Sequence, residues 1–109
     1  MSTISTHVLD IVLGKPAPGI KLWLEMRQGT SWTGVATSST DADGRCSNLK
    51  QDAMRGVYRL TFDTGDYFAH QGRTSIYPTV SIIFVCGGET HYHLPLLLSD
   101  NGYTTYRGS

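Results

Sequence analysis

Cysteine is scarce in this chain: Cys46 and Cys86 are the only two, and no CxxC or Cys/His spacing surrounds them. That removes a disulfide framework and a structural zinc site from the candidates, and two reduced, partly buried thiols are expected instead. An excess of one charge is also missing, because nine Lys and Arg balance nine Asp and Glu. Without a broad positive field or an acidic tail, nucleic acid is not expected as a partner. The longest apolar stretches, residues 80–86 and 94–98, fall well short of the roughly 20 residues that cross a bilayer as a helix, so no membrane span is expected. The first six residues, Met1-Ser2-Thr3-Ile4-Ser5-Thr6, lack the basic start and apolar centre of a secretory signal. The expected location is cytoplasmic, with periplasmic or peroxisomal export of a longer precursor left open. A Gly-x-Ser-x-Gly elbow, a phosphate-binding loop and a dinucleotide fingerprint are all absent, and no cofactor is expected.

What remains is a chain of 109 residues with 39% hydrophobic content, enough for one core and one domain spanning residues 1–109. So small a domain often gains stability by burying more surface in an oligomer. Period-two alternation dominates, and helical periodicity is nearly absent. From residue 20 to 27, Ile20, Leu22, Leu24 and Met26 alternate with Lys21, Trp23, Glu25 and Arg27, the pattern of a strand covering a sandwich core. Further strands are predicted over residues 6–12, 33–37, 45–47, 56–62, 80–86, 91–98 and 103–107. The segment Gly14-Lys15-Pro16-Ala17-Pro18-Gly19 separates the first two strands, and Asp41-Ala42-Asp43-Gly44 forms a turn before the fourth. Residues 64–72 begin with a capping-type Thr64, carry Asp66 early and end in Gly72, which predicts a single short helix. About eight short strands and one helix make an all-β, two-sheet β-sandwich the expected architecture.

Four histidines are the visible candidates for chemistry. In the strand at 91–98, Tyr92, Leu94, Leu96 and Leu98 share one face, and His91, His93, Pro95 and Leu97 share the other. In the first strand, Thr6, Val8 and Asp10 oppose His7, Leu9 and Ile11. Either face fits a core by pattern alone. If the histidine faces point outward, the sheet presents leucines beside imidazoles, as binding or assembly surfaces do. Each imidazole taken singly also fits an ordinary strand-surface residue, and His70 in the predicted helix is read that way. The His-x-His pair at His91 and His93 suggests a metal only weakly, since Glu89 alone does not complete a ligand set.

Three separated segments go further: Ser5-Thr6-His7-Val8-Leu9-Asp10, Asp43-Gly44-Arg45 and the ending Tyr106-Arg107-Gly108-Ser109. They resemble the signatures of the 5-hydroxyisourate hydrolases of the transthyretin-like family. Ile76-Tyr77-Pro78 and Tyr92-His93-Leu94-Pro95-Leu96-Leu97-Leu98-Ser99 are similar to that family too, so the likeness spans nearly the whole chain. The resemblance implies an eight-stranded transthyretin-like sandwich with one short helix. It also implies a homotetramer, a dimer of dimers, whose central channel is lined by the sheet holding the first and last two strands. Leu9 and Leu97 would then be covered at the seam. Active-site positions carried over from the family fall on His7, Arg45, His93 and Ser109, with Tyr106 and Arg107 in the same terminal motif as substrate-binding candidates.

The implied reaction converts 5-hydroxyisourate into 2-oxo-4-hydroxy-4-carboxy-5-ureidoimidazoline on the route from urate to allantoin. Imidazoles titrating near neutrality suit the proton transfers, and Arg45 suits an anionic, carbonyl-rich heterocycle and its oxyanion. For Ser109, relaying a proton, orienting water and direct attack all fit its hydroxyl. Water is the expected nucleophile. The competing expectation is a transthyretin-like carrier that binds a small aromatic molecule without turning it over, since fold alone permits both. By the resemblance, carriers lack the paired histidines and the terminal tetrapeptide. An immunoglobulin-like adhesion module ranks last, because no Cys…Trp…Cys arrangement is present.

Overall fold

The computed structural model describes residues 1–109. Alternation resolves into two four-to-five-stranded sheets whose apolar faces meet. At the centre of the first sheet lies β1 (Ser2–Asp10). Along one edge it pairs in parallel with β8 (His91–Ser99), and β9 (Gly102–Thr105) adds antiparallel beyond that. Its other edge is shared: β5 (Arg45–Ala53) takes Ser2 to His7, and the two-residue β2 (Lys15–Pro16) takes Leu9 and Asp10. The second sheet runs β4 (Ser31–Ser39), β3 (Lys21–Gln28), β6 (Gly56–Phe62) and β7 (Val80–Cys86), all antiparallel.

The expected core stripes hold. Leu22 and Leu24 on β3, with Ile20 just before it, and Tyr58, Leu60 and Phe62 on β6 are buried against Ile4, Val8, Leu94, Leu96 and Leu98 of the first sheet, while Met26 packs partly buried at the margin. This settles which face of β1 and β8 looks inward: the leucine face of β8 is core, and the histidine face is outer. Cys46 and Cys86 are buried free thiols.

Several boundaries differ from expectation, each for a local reason. β1 starts at Ser2 and stops at Asp10 rather than running over 6–12. Its end is set by Asp10, whose Oδ1 accepts from the N–H groups of Val12 and Leu13, each at 3.1 Å, turning the chain away from the ladder. The same carboxylate is buried, receiving the Tyr67 hydroxyl at 2.8 Å and the Arg73 guanidinium at 2.6 Å. Arg73 also pairs with Asp100, so one guanidinium clasps the end of β1 to the β8–β9 turn.

The helix α1 (Thr64–Ala69) is capped by Asp63, not Thr64, and ends before Gly72, which closes the following turn at φ 67°. β5 extends to Ala53, far beyond the predicted 45–47, because register shifts against β1 break its alternation. Its buried residues Cys46, Leu49 and Ala53 are consequently spaced by three and four.

Candidate active site

The outer face of the first sheet is assembled by register. His7 of β1 stands opposite Arg45 of β5. On the other edge, Thr3 pairs with His91, Ser5 with His93 and His7 with Pro95. Side chains from three strands that are distant in sequence therefore share one outward surface.

Arg45 and His7 are both fixed by the turn before β5. Asp41 Oδ1 accepts from the N–H groups of Asp43 and Arg45 at 2.9 Å each, and Gly44 takes φ 73°. The turn lies so close to β1 that the Val8 N–H donates to the Gly44 carbonyl at 2.7 Å. It also brings the Asp43 carbonyl 3.0 Å from His7 Nε2. A carbonyl only accepts, so His7 Nε2 carries the proton, and in the neutral ring Nδ1 holds the lone pair. The Arg45 side chain has no carboxylate partner, in contrast to Arg59 with Glu25 and Arg73 with Asp10 and Asp100.

The last residues return along β8. Thr105 Oγ1 donates to the Pro95 carbonyl at 2.8 Å, and the Gly108 N–H donates to the His93 carbonyl at 2.8 Å in an isolated antiparallel bridge. Glycine is needed at that bridge, because a Cβ on Gly108 would lie 2.7 Å from His93 Cδ2. Ser109 is thereby delivered beside His93.

Arg45, His93 and Ser109 line one hollow of about 190 Å³ together with Ser5, Thr6, Ser47 and His91. No Asp or Glu and no hydrophobic side chain lines it. His7, half-buried, is not among its lining residues and stands opposite Arg45 in the β1–β5 pairing. Tyr106 and Arg107 do not line the hollow. Tyr106 is 53% exposed, and the Arg107 guanidinium lies 4.9 Å over the Tyr92 ring and donates to the His91 carbonyl at 3.3 Å. His70 lies elsewhere, beside α1, with Nδ1 2.8 Å from the Asp66 carbonyl.

Within the hollow, His93 is half-buried, with Nδ1 2.8 Å from Ser5 Oγ and no partner in the chain for Nε2. Burial, reinforced by electrostatic repulsion from His91, His7 and Arg45, pulls its pKa below the ordinary imidazole value. The ring is thus held neutral with Nε2 open to the cavity. The sequence shows Ser5 in the first motif and His91 in the His-x-His pair, but assigns neither an active-site position. Strand alternation puts Ser5 on the His7 face, but only the parallel β1–β8 pairing reveals that its hydroxyl reaches both imidazoles.

Residues 4–108 match the HIUase/Transthyretin family. The chain belongs to that family. It is 43% identical over 109 residues to the 5-hydroxyisourate hydrolase of Salmonella typhimurium, covering 97% of this chain and 80% of that protein. It is also 43% identical over 113 residues to the 5-hydroxyisourate hydrolase of Mus musculus, covering 99% and 96%. Among solved structures, Klebsiella pneumoniae 5-hydroxyisourate hydrolase superposes with a TM-score of 0.91 at 43% identity, covering both chains in full. Sea bream transthyretin, solved in complex with thyroxine, gives a TM-score of 0.93 at 36% identity over 97% of this chain and 94% of that one. The HIUase/Transthyretin fold thus accommodates both hydrolases and a thyroxine-binding protein, and function must be argued from the site.

Proposed function

We propose that this chain hydrolyses 5-hydroxyisourate to 2-oxo-4-hydroxy-4-carboxy-5-ureidoimidazoline. One observation carries the reading: a small polar hollow unites two imidazoles, a guanidinium without a carboxylate partner and Ser109, and no Asp or Glu lines it. Identity above 40% to hydrolases from bacteria and mouse supports it. A carrier of apolar aromatic ligands is less well supported, since such sites are lined mostly by hydrophobic side chains and this hollow has none.

In the proposed reaction, His93 Nε2 removes a proton from water as its oxygen bonds to a ring carbonyl carbon. Arg45 holds the anionic heterocycle and neutralises charge growing on the carbonyl oxygen. The ring C–N bond then breaks, and the proton returns to the departing nitrogen, leaving a carboxyl and a ureido group. Ser109 orients the attacking water. His7, locked as the Nε2–H tautomer by Asp43, supplies a second acid–base group opposite Arg45. Tyr106 and Arg107 shape the entrance, Arg107 by holding the tail against Tyr92 and His91.

The working assembly in this reading is a homotetramer. The outer face that carries the site also carries half-buried Leu9 and Leu97, next to exposed Ile11, Val12 and Leu13, an apolar group of the kind that protomers cover. Light scattering should give four chains, and a stable monomer at working concentration would remove this element. The substrate itself is tested by adding purified protein to freshly generated 5-hydroxyisourate and following its ultraviolet decay and products. Faster decay to the ureidoimidazoline is expected, and decay at the spontaneous rate would overturn the reading.

A further inference from the structure

Ser5 is a small polar residue, only 3% exposed, set between two rings. Its Oγ lies 2.8 Å from His93 Nδ1 and 2.8 Å from His91 Nε2. A hydroxyl has one proton and two lone pairs, so it can donate to no more than one of the two rings. In the arrangement that spends that proton between the rings, the two imidazoles present opposite protonation at these facing nitrogens. The ring centroids lie 6.2 Å apart, too far for direct exchange between nitrogens that both point at Ser5. Beyond Ser5 the two rings differ: His93 is half-buried with Nε2 open to the cavity, whereas His91 is exposed and its Nδ1 has no partner in the chain.

We propose that Ser5 is a positioning residue that relays the reaction's proton between His93, which exchanges it with the reactants, and His91, which stores it. The proposal rests on the hydrolase reading above. At rest, His93 Nδ1–H donates to Ser5 Oγ, the Ser5 O–H donates to His91 Nε2, and His91 carries its proton on Nδ1. When His93 Nε2 takes a proton from the attacking water, the Nδ1 proton passes to Ser5 as the Ser5 proton passes to His91 Nε2. The positive charge then sits on the exposed ring, and His93 is neutral again. As the C–N bond breaks, both shifts reverse, and His93 Nε2–H protonates the departing nitrogen. No proton is gained or lost by the three residues over a cycle, and the starting arrangement is restored. The benefit is electrostatic, because a cation is easier to hold on an exposed ring than on one half-buried beside Arg45.

The test uses Ser5→Ala, Ser5→Thr, His91→Gln and the Ser5→Ala/His91→Gln double variant, each checked for a native melting transition. Gln at 91 retains a hydrogen-bonding group for Ser5 but cannot store a proton. Ser5→Ala and His91→Gln should each lower kcat about tenfold with KM little changed, less than the roughly 10²-fold expected for losing a general base. The double variant should be no worse than either single one, and Ser5→Thr should stay near wild type. Wild-type kcat in H2O/D2O mixtures should follow a curve that signals more than one moving proton, and Ser5→Ala a straight line.

Undiminished kcat in folded Ser5→Ala or His91→Gln, or losses that multiply in the double variant, would overturn the relay. Should Ser5→Ala fail to fold, His91→Gln and Ser5→Thr decide alone. A wild-type protein that does not accelerate decay would instead end the hydrolase reading. Nitrogen NMR tests the wire separately: in the resting wild type both neutral rings should be Nδ1–H tautomers, and an Nε2–H tautomer at either ring would overturn it.

Discussion

His7 and Arg45 face each other across adjacent antiparallel strands, and the turn that ends at Gly44 holds both, one through the Asp43 carbonyl and the other through Asp41. Gly44 takes φ 73°, and a Cβ there would press on the Val8 carbonyl and lie 3.1 Å from the Ala17 N. Gly44→Ala is expected to cost about 1–3 kcal/mol of stability from backbone strain alone, and to lower turnover further by displacing Arg45. Denaturant unfolding alongside the ultraviolet assay checks both, and a wild-type midpoint would contradict the close approach.

The tail is pinned by a different glycine. Gly108 has no conformational need for glycine, but a Cβ would lie 2.7 Å from His93 Cδ2 and 3.2 Å from Pro95 Cγ. Gly108→Ala should therefore detach Ser109 from the hollow while leaving the sandwich folded. The expected result is a fall in kcat/KM of at least about tenfold, the scale seen when catalytic geometry is disturbed, with little change in melting temperature. Full activity would mean that the Gly108 bridge does not position the site.

His93 should titrate below the ordinary imidazole value of about 6.5, because burial and then electrostatic repulsion from His91, His7 and Arg45 disfavour its cation. The unfolded chain then binds more protons than the native one just below that value. Stability from this ring is fully present above about pH 6.5 and is lost as pH falls through the lower folded pKa. The acid limb of kcat/KM should likewise lie below about 6.5. An NMR titration of His93 at or above the ordinary value would contradict the electrostatics described here.

Asp10 gives a pH effect of the same sign from a carboxylate. Burial alone would raise its pKa, but hydrogen bonds from Arg73, the Leu13 N–H and Tyr67, with the charge of Arg73, outweigh burial and hold it below the usual carboxylate range. The stability it contributes is present above about pH 3.9 and lost as pH falls through the folded value. Asp10→Ala should destabilise by roughly 3 kcal/mol, since it strips a buried charge network of its centre. Chemical unfolding near neutral pH measures this, and a loss below about 1 kcal/mol would show that Asp100 alone satisfies Arg73.

Much of this was legible in the sequence, for physical reasons. The alternation over 20–27 and 56–62 reads directly as core because the two strands pair with each other without a register shift, as Leu22, Leu24, Leu60 and Phe62 show. β5 was not legible past Ser47, because its register shifts put Cys46, Leu49 and Ala53 out of period two. The helix was placed, but Asp63 competes with Thr64 as its cap, and local sequence does not rank them. At the site, His7, Arg45, His93 and Ser109 were recognisable through motifs at strand starts and at the tail. Ser5 opens the motif that contains His7, but nothing in the motif marks its hydroxyl as part of the site. A serine inside a strand becomes informative only when a parallel neighbour, 88 residues away, is known to bring His93 beside it.

The most direct measurement is the ultraviolet decay of 5-hydroxyisourate in the presence of wild type, His93→Gln and Arg45→Gln at matched folded concentration. A single shared site predicts strong acceleration by the wild type and a loss of about 10²-fold or more in kcat/KM for each variant. Folded variants that accelerate the decay as well as the wild type would place the chemistry elsewhere on the molecule.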